Sequence, residues 1–174
     1  MTQTDLLLKG QAVNGTPLSP HANGRKATLS AMVIYEDSCT RDRAMAVCDD
    51  LVQQFWTDVH FNFDWWHVNF FEETQFAEFA ALSAASADMV IFAGNADKEL
   101  PVAAKRWFER WPRHRNGRGG SLVDLTETVN SLNGAAELKK IYLRDIAGRA
   151  FMDYVTKPPA AVKTSLKNRR SNGH

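Results

Sequence analysis

Apolar positions along the chain follow two alternating rhythms. "TLSAMVIY" (28–35) is a short apolar run with β-branched residues, long enough for a buried strand and too short for a helix. After it, Ala44, Val47, Cys48, Leu51, Val52 and Phe55 recur at i, i+3, i+4, i+7, i+8 and i+11, a single helical stripe, with Ser38 or Thr40 as its N-cap. "VHFNFDW" (59–65) alternates apolar and polar positions, as a half-exposed edge strand does. The spacing then predicts a helix over 72–87 that buries Phe76, Phe79 and Ala80, and a central strand "DMVIFAG" over 88–94. Leu100, Ala104, Trp107, Phe108 and Trp111 form a second clear stripe, entered through Pro101 and ended by "NGRGG". A strand at 121–126, a helix at 135–150 and a strand at 151–156 complete the series.

Strands joined by helices imply parallel neighbours and right-handed crossovers. Five of them predict a three-layer α/β/α domain with a flavodoxin-type sheet of order 2-1-3-4-5. In that order the most apolar strands, first and third, lie centrally and the alternating second lies at an edge. A helix after the fifth strand would have to come from Ala160–Leu166, so one face is expected to be thinly covered.

Residues 1–26 are rich in Gly, Pro, Asn and Ser and read as a disordered leader, and 158–174 as a basic disordered tail. The domain is therefore expected over 27–157. A length of 174 residues with 44% hydrophobic and 24% charged side chains is ordinary for one soluble domain. No apolar run is long enough to span a bilayer and no secretory signal opens the chain, which leaves the cytoplasm as the expected compartment. The overall charge of +1 is unevenly spread: residues 157–174 carry five Lys/Arg and no acid, whereas 27–156 hold net −6. A dedicated nucleic-acid binder would place a basic face on the fold itself, so that class is disfavoured. Cys39 and Cys48, nine residues apart on one helix, lie too far apart to pair and read as small buried residues.

The predicted order places a switch point between the C-terminal ends of strands one and three. Glu36, Asp37, Ser38 and Thr40 fall on one side of it, and Gly94, Asn95, Asp97 and Glu99 on the other. "YEDSCTRDRA" and "ADMVIFAGNADKELPVAAKRWFERW" resemble the flavodoxin and NADPH-dependent FMN reductase families over residues 28–111. That resemblance implies an FMN-dependent oxidoreductase with Ser38, Thr40, Gly94 and Asn95 as cofactor contacts. The loop 37–41 holds no glycine to let a phosphate reach the amides of a helix N-terminus, and the acids nearby would repel one. Trp65 and Trp66 point to opposite faces of their strand, one expected in the core and its neighbour at the surface.

The order of Glu36-Asp37, Thr126 and Lys157-Pro158 resembles response-regulator receiver domains over residues 28–158. It implies the paired carboxylates Glu36 and Asp37 holding Mg²⁺, and a residual cation pocket is expected from these two with Asp97 as the metal ligands. Ala93 stands where such a domain carries its phosphoacceptor aspartate, so the resemblance is to a degenerate receiver. The chain also resembles small bacterial α/β proteins.

"KRWFERWPRHRNGR" (105–118) places six Lys/Arg against Glu109, with Trp107, Phe108 and Trp111 on the buried stripe. Its Lys105–Arg118 helix face is expected to meet an acidic protein partner. His60 and His67 face opposite ways and share no metal. The sequence thus leads to a non-catalytic receiver-like regulatory or interaction domain with a residual cation pocket, and alternatively to the FMN enzyme.

Overall fold

The computed structural model describes residues 25–127 and 134–156. Its strands are β1 (Ala27–Tyr35), β2 (Val59–His67), β3 (Met89–Ala93), β4 (Ser121–Asp124) and β5 (Asp153–Val155). Its helices are α1 (Ser38–Phe55), α2 (Thr74–Ser86), α3 (Val102–Arg110) and α4 (Ala135–Arg149), with 3-10 turns at Val68–Glu72 and Trp111–Arg115. The sheet is parallel throughout, in the order β2-β1-β3-β4-β5 anticipated from the apolar runs. The leader (apart from Arg25 and Lys26), the tail, the Ala160–Leu166 stretch and the Lys157-Pro158 pair lie outside the described residues.

Central strands are apolar on both faces because both faces are covered. Met32, Ile34, Val90, Phe92 and Leu122 point to the side packed by α2, α3 and α4. Val33, Ile91 and Val123 point to the other, where Ala44, Cys48 and Leu51 of α1 meet them. The α3 stripe buries Trp107, Phe108 and Trp111, as its period requires, each contributing about 1.5–3 kcal/mol by leaving water. Phe71 stacks on Trp107 at 4.4 Å between ring centroids, and the Trp107 indole N–H donates to the Ala77 carbonyl at 3.1 Å.

Several expectations shift. Of the three residues expected on the buried face of α2, only Ala80 is there: Phe76 is 38% and Phe79 53% exposed. The helix packs through Ala80, Ala81 and Ala84 instead, because small side chains let its backbone approach the sheet. Val52 is likewise exposed on α1. Trp65 and Trp66 do face opposite sides, but both are half-buried, since each face of the edge strand has a cluster to pack against. Cys48 is buried, with burial pushing its thiol up to about 12, whereas Cys39 is exposed; both are free.

Candidate functional site

Register brings the switch point together. Tyr35 is level with Ala93, so the chain leaving β1 at Glu36 runs beside the chain leaving β3 at Gly94. The buried Ala93 closes β3 in the position read from the sequence.

The loop after β1 is bonded to itself. Asp37, not Ser38 or Thr40, is the N-cap of α1, because its carboxylate can accept the Thr40 amide at 2.9 Å in a capping box. Thr40 sits at the third helical position, buried, and its hydroxyl oxygen accepts the Glu36 and Asp37 amides at 3.0 and 2.8 Å. Those two amides, ahead of the helix, already have partners. Ser38 is exposed. The Thr40 amide holds the Asp37 carboxyl below its usual range, with Asn95 and Lys98 adding to the effect.

The loop after β3 is tied to the first. Asn95 donates its backbone amide to Glu36 Oε2, and its Nδ2 reaches Asp37 Oδ2 at 3.2 Å. Its own Oδ1 accepts the Asp97 amide at 3.1 Å, and the Asp97 side chain stays exposed. Gly94 is required for packing: a Cβ there would stand 2.5 Å from Cε1 of the buried Phe92 ring and 2.8 Å from Thr126 Oγ1. The Thr126 hydroxyl is buried without a hydrogen-bond partner among the described residues.

Two cations arrive from opposite layers. Lys139 of α4 donates from Nζ to Glu36 Oε1 at 3.1 Å, to Oε2 at 3.2 Å and to the Asn95 carbonyl at 2.7 Å. The pair is almost wholly enclosed, with the Lys139 side chain 4% and the Glu36 side chain 6% exposed. Burial pushes the Glu36 carboxyl above its ordinary value, against the pull of the Asn95 amide and the Lys139 ammonium. Arg43 of α1 donates to the Gly94 and Leu125 carbonyls at 3.1 and 2.8 Å and pairs with Glu127 at 3.0 Å, joining the ends of β3 and β4. Beside them Asp124, buried at the end of β4, accepts the Thr126 amide and the Tyr154 hydroxyl.

The three carboxylates named for a cation therefore diverge. Glu36 turns inward to Lys139, Asp37 turns to the helix amide with Lys98 at 3.7 Å, and Asp97 points to solvent. No group of three His, Cys, Asp or Glu among the described residues is arranged to hold a metal. An acidic mouth was expected; what stands there is a carboxylate neutralised by a buried ammonium. Lys139 and Arg43 escaped sequence reasoning, although a signal for Lys139 existed: it shares the buried stripe of α4 with Ala136, Leu143 and Ile146.

The basic segment after β3 also divides. Arg115 is buried and donates to the carbonyls of Ala84, Ala87, Arg118 and Gly119, anchoring the end of α2. Arg118 pairs with Asp88, and Lys105 with Glu99. Arg106, Arg110 and Arg113 remain exposed. His67 half-buries at the end of β2, where its Nδ1 accepts the Asn69 amide at 3.1 Å. No helix among the described residues is long and apolar enough to cross a membrane.

The chain matches no family model, and no curated protein matches it.

Proposed function

We propose that this chain is a non-catalytic, receiver-like domain that acts by presenting a surface to a protein partner. The observation that carries the reading is the Glu36–Lys139 pair, which fills the crevice where doubly wound sheets receive ligands. A cofactor phosphate there would displace a buried ion pair and find the amides of residues 36 and 37 already bonded to Thr40. A divalent cation would have to draw Glu36 away from an ammonium that already balances its charge. These contacts favour the interaction domain over the FMN-dependent oxidoreductase, and Lys139 takes the place of the residual cation.

The partner surface lies away from the mouth, on the helical layer that carries Arg106, Arg110 and Arg113. These arginines have no carboxylate within ion-pair distance among the described residues. They suit an acidic protein surface, where charge complementarity guides approach and register. The test is a pair of titrations on the purified full chain, FMN followed by flavin fluorescence and Mg²⁺ followed by tryptophan fluorescence. Neither should produce a saturable change up to millimolar ligand. Saturable FMN binding in the low micromolar range, or a Mg²⁺ response abolished by Glu36→Gln, would overturn the reading.

A further inference from the structure

Helix α2 has the composition of a covered helix. Glu78 is the one charged residue between Thr74 and Ser86, and apolar side chains lie around most of its circumference. Alanines fill the side against the sheet, while Leu82, 62% exposed, and Phe79 face outward. A helix apolar all round is normally enclosed on more than one side.

Between α2 and α3 runs a groove of about 580 Å³, floored by Phe71, Ala81 and Trp107. Its two walls differ in charge. Glu78 of α2 and Glu72 of the turn before it line one wall, the α2 wall, and Arg106 and Arg110 line the α3 wall. All four are exposed, and none is in an ion pair among the described residues. Glu109, which also borders the groove, is paired with Arg149 at 2.5 and 3.2 Å and forms no ion pair with Arg106 or Arg110.

An acidic wall and a basic wall on either side of an apolar floor make a self-complementary surface. Both helices connect parallel strands and so run parallel to each other. A two-fold axis lying in the contact plane, parallel to the two helices, lays the α2 wall of one copy over the α3 wall of the other, and the reciprocal contact follows by symmetry. We infer that the α2–α3 groove is a self-association surface whose occupant is a second copy of this chain. The inference rests on the reading of the chain as an interaction domain and names the acidic partner as α2 of its twin. It gives each unpaired acid a cation to face and covers Leu82 and the rim of Trp107.

The experiment is sedimentation equilibrium of the full chain over a concentration series, with two charge-reversed variants, Arg106→Glu/Arg110→Glu and Glu72→Lys/Glu78→Lys. Every changed residue is exposed, and circular dichroism checks that each variant is folded. The parent should dimerise, more weakly as NaCl rises from about 0.05 to about 0.5 M, because rim charges are screened over that range. Each variant alone should dimerise about tenfold or more weakly, since like charges then oppose each other twice. Mixed one to one, the two variants should recover a dimer, because each acidic wall again meets a basic one. A parent that stays monomeric at all concentrations overturns the inference, and so does a dimer that ignores the reversals or a mixture that fails to recover. The reading of a closed mouth stands or falls separately, on the FMN and Mg²⁺ titrations.

Discussion

Replacing Lys139 by methionine keeps most of the aliphatic stem and deletes the ammonium. In the parent that group satisfies both Glu36 oxygens and the Asn95 carbonyl, at 3.1, 3.2 and 2.7 Å. An exposed pair would contribute no more than about 1 kcal/mol. With side-chain exposures of 4% and 6% the buried case applies, and removing one partner costs about 3–5 kcal/mol because the other charge is left unbalanced. Glu36 can relieve part of this by taking up a proton, which makes the cost depend on pH. Burial already holds its folded-state carboxyl above the reference of 4.5, and losing Lys139 removes two of the influences that lower it. The native variant then binds a proton that the unfolded chain has released, so its stability falls as pH rises through that window. The deficit relative to the parent should therefore be larger near about pH 8 than near about pH 5. Urea unfolding followed by tryptophan fluorescence reads it directly. The double variant Glu36→Gln/Lys139→Met, which buries no charge at this point, should recover a large share of the loss. A deficit below about 1 kcal/mol, or one flat across pH, would refute the enclosed ion pair.

Asp37→Ala removes the N-cap of α1 and its link to Asn95, and should cost about 1 kcal/mol in the same assay. Because the Asp37 carboxyl is held below 3.8 when folded, its contribution is present above that pH and is lost as pH falls through the depressed value. An Asp37→Ala variant whose deficit persists unchanged in acid would contradict this. Gly94→Ala should destabilise by about 1–3 kcal/mol, since the new methyl meets the buried Phe92 ring at 2.5 Å; thermal unfolding measures it. Arg115→Met strips the donors from the Ala84, Ala87 and Gly119 carbonyls and should lower stability by about 3 kcal/mol, with hydrogen exchange accelerating first at the C-terminal end of α2.

The sheet order was legible because its cause is local. Strands covered on both faces read as unbroken apolar runs, and "AMVI" and "MVIFA" do so, while the edge strand alternates. The α3 stripe was equally plain, since its large residues all fall on one face. The buried face of α2 was not, because apolar residues on most sides give the period nothing to select, and the alanines that permit close approach carry a weaker signal than phenylalanine. Residues 36 and 94 were correctly expected to be neighbours, which follows from topology. What lies between them was hidden: Lys139 is 103 residues from Glu36 along the chain, and no local spacing links the two. Only its place on a buried helical stripe sets it apart from the exposed lysines. The basic segment misled in a related way, since Arg115 serves backbone carbonyls in the interior and only part of the run faces outward.

The claim on which the account turns is that the crevice at the ends of β1 and β3 is occupied by the protein's own ion pair. Nitrogen-detected NMR of the lysine side chains tests it most directly, because an ammonium enclosed by three acceptors exchanges its protons far more slowly than one in water. One persistent ammonium signal is expected at neutral pH, absent in Lys139→Met and displaced in Glu36→Gln. If every lysine ammonium exchanges as fast as a solvent-exposed one, the mouth is open and the account is wrong.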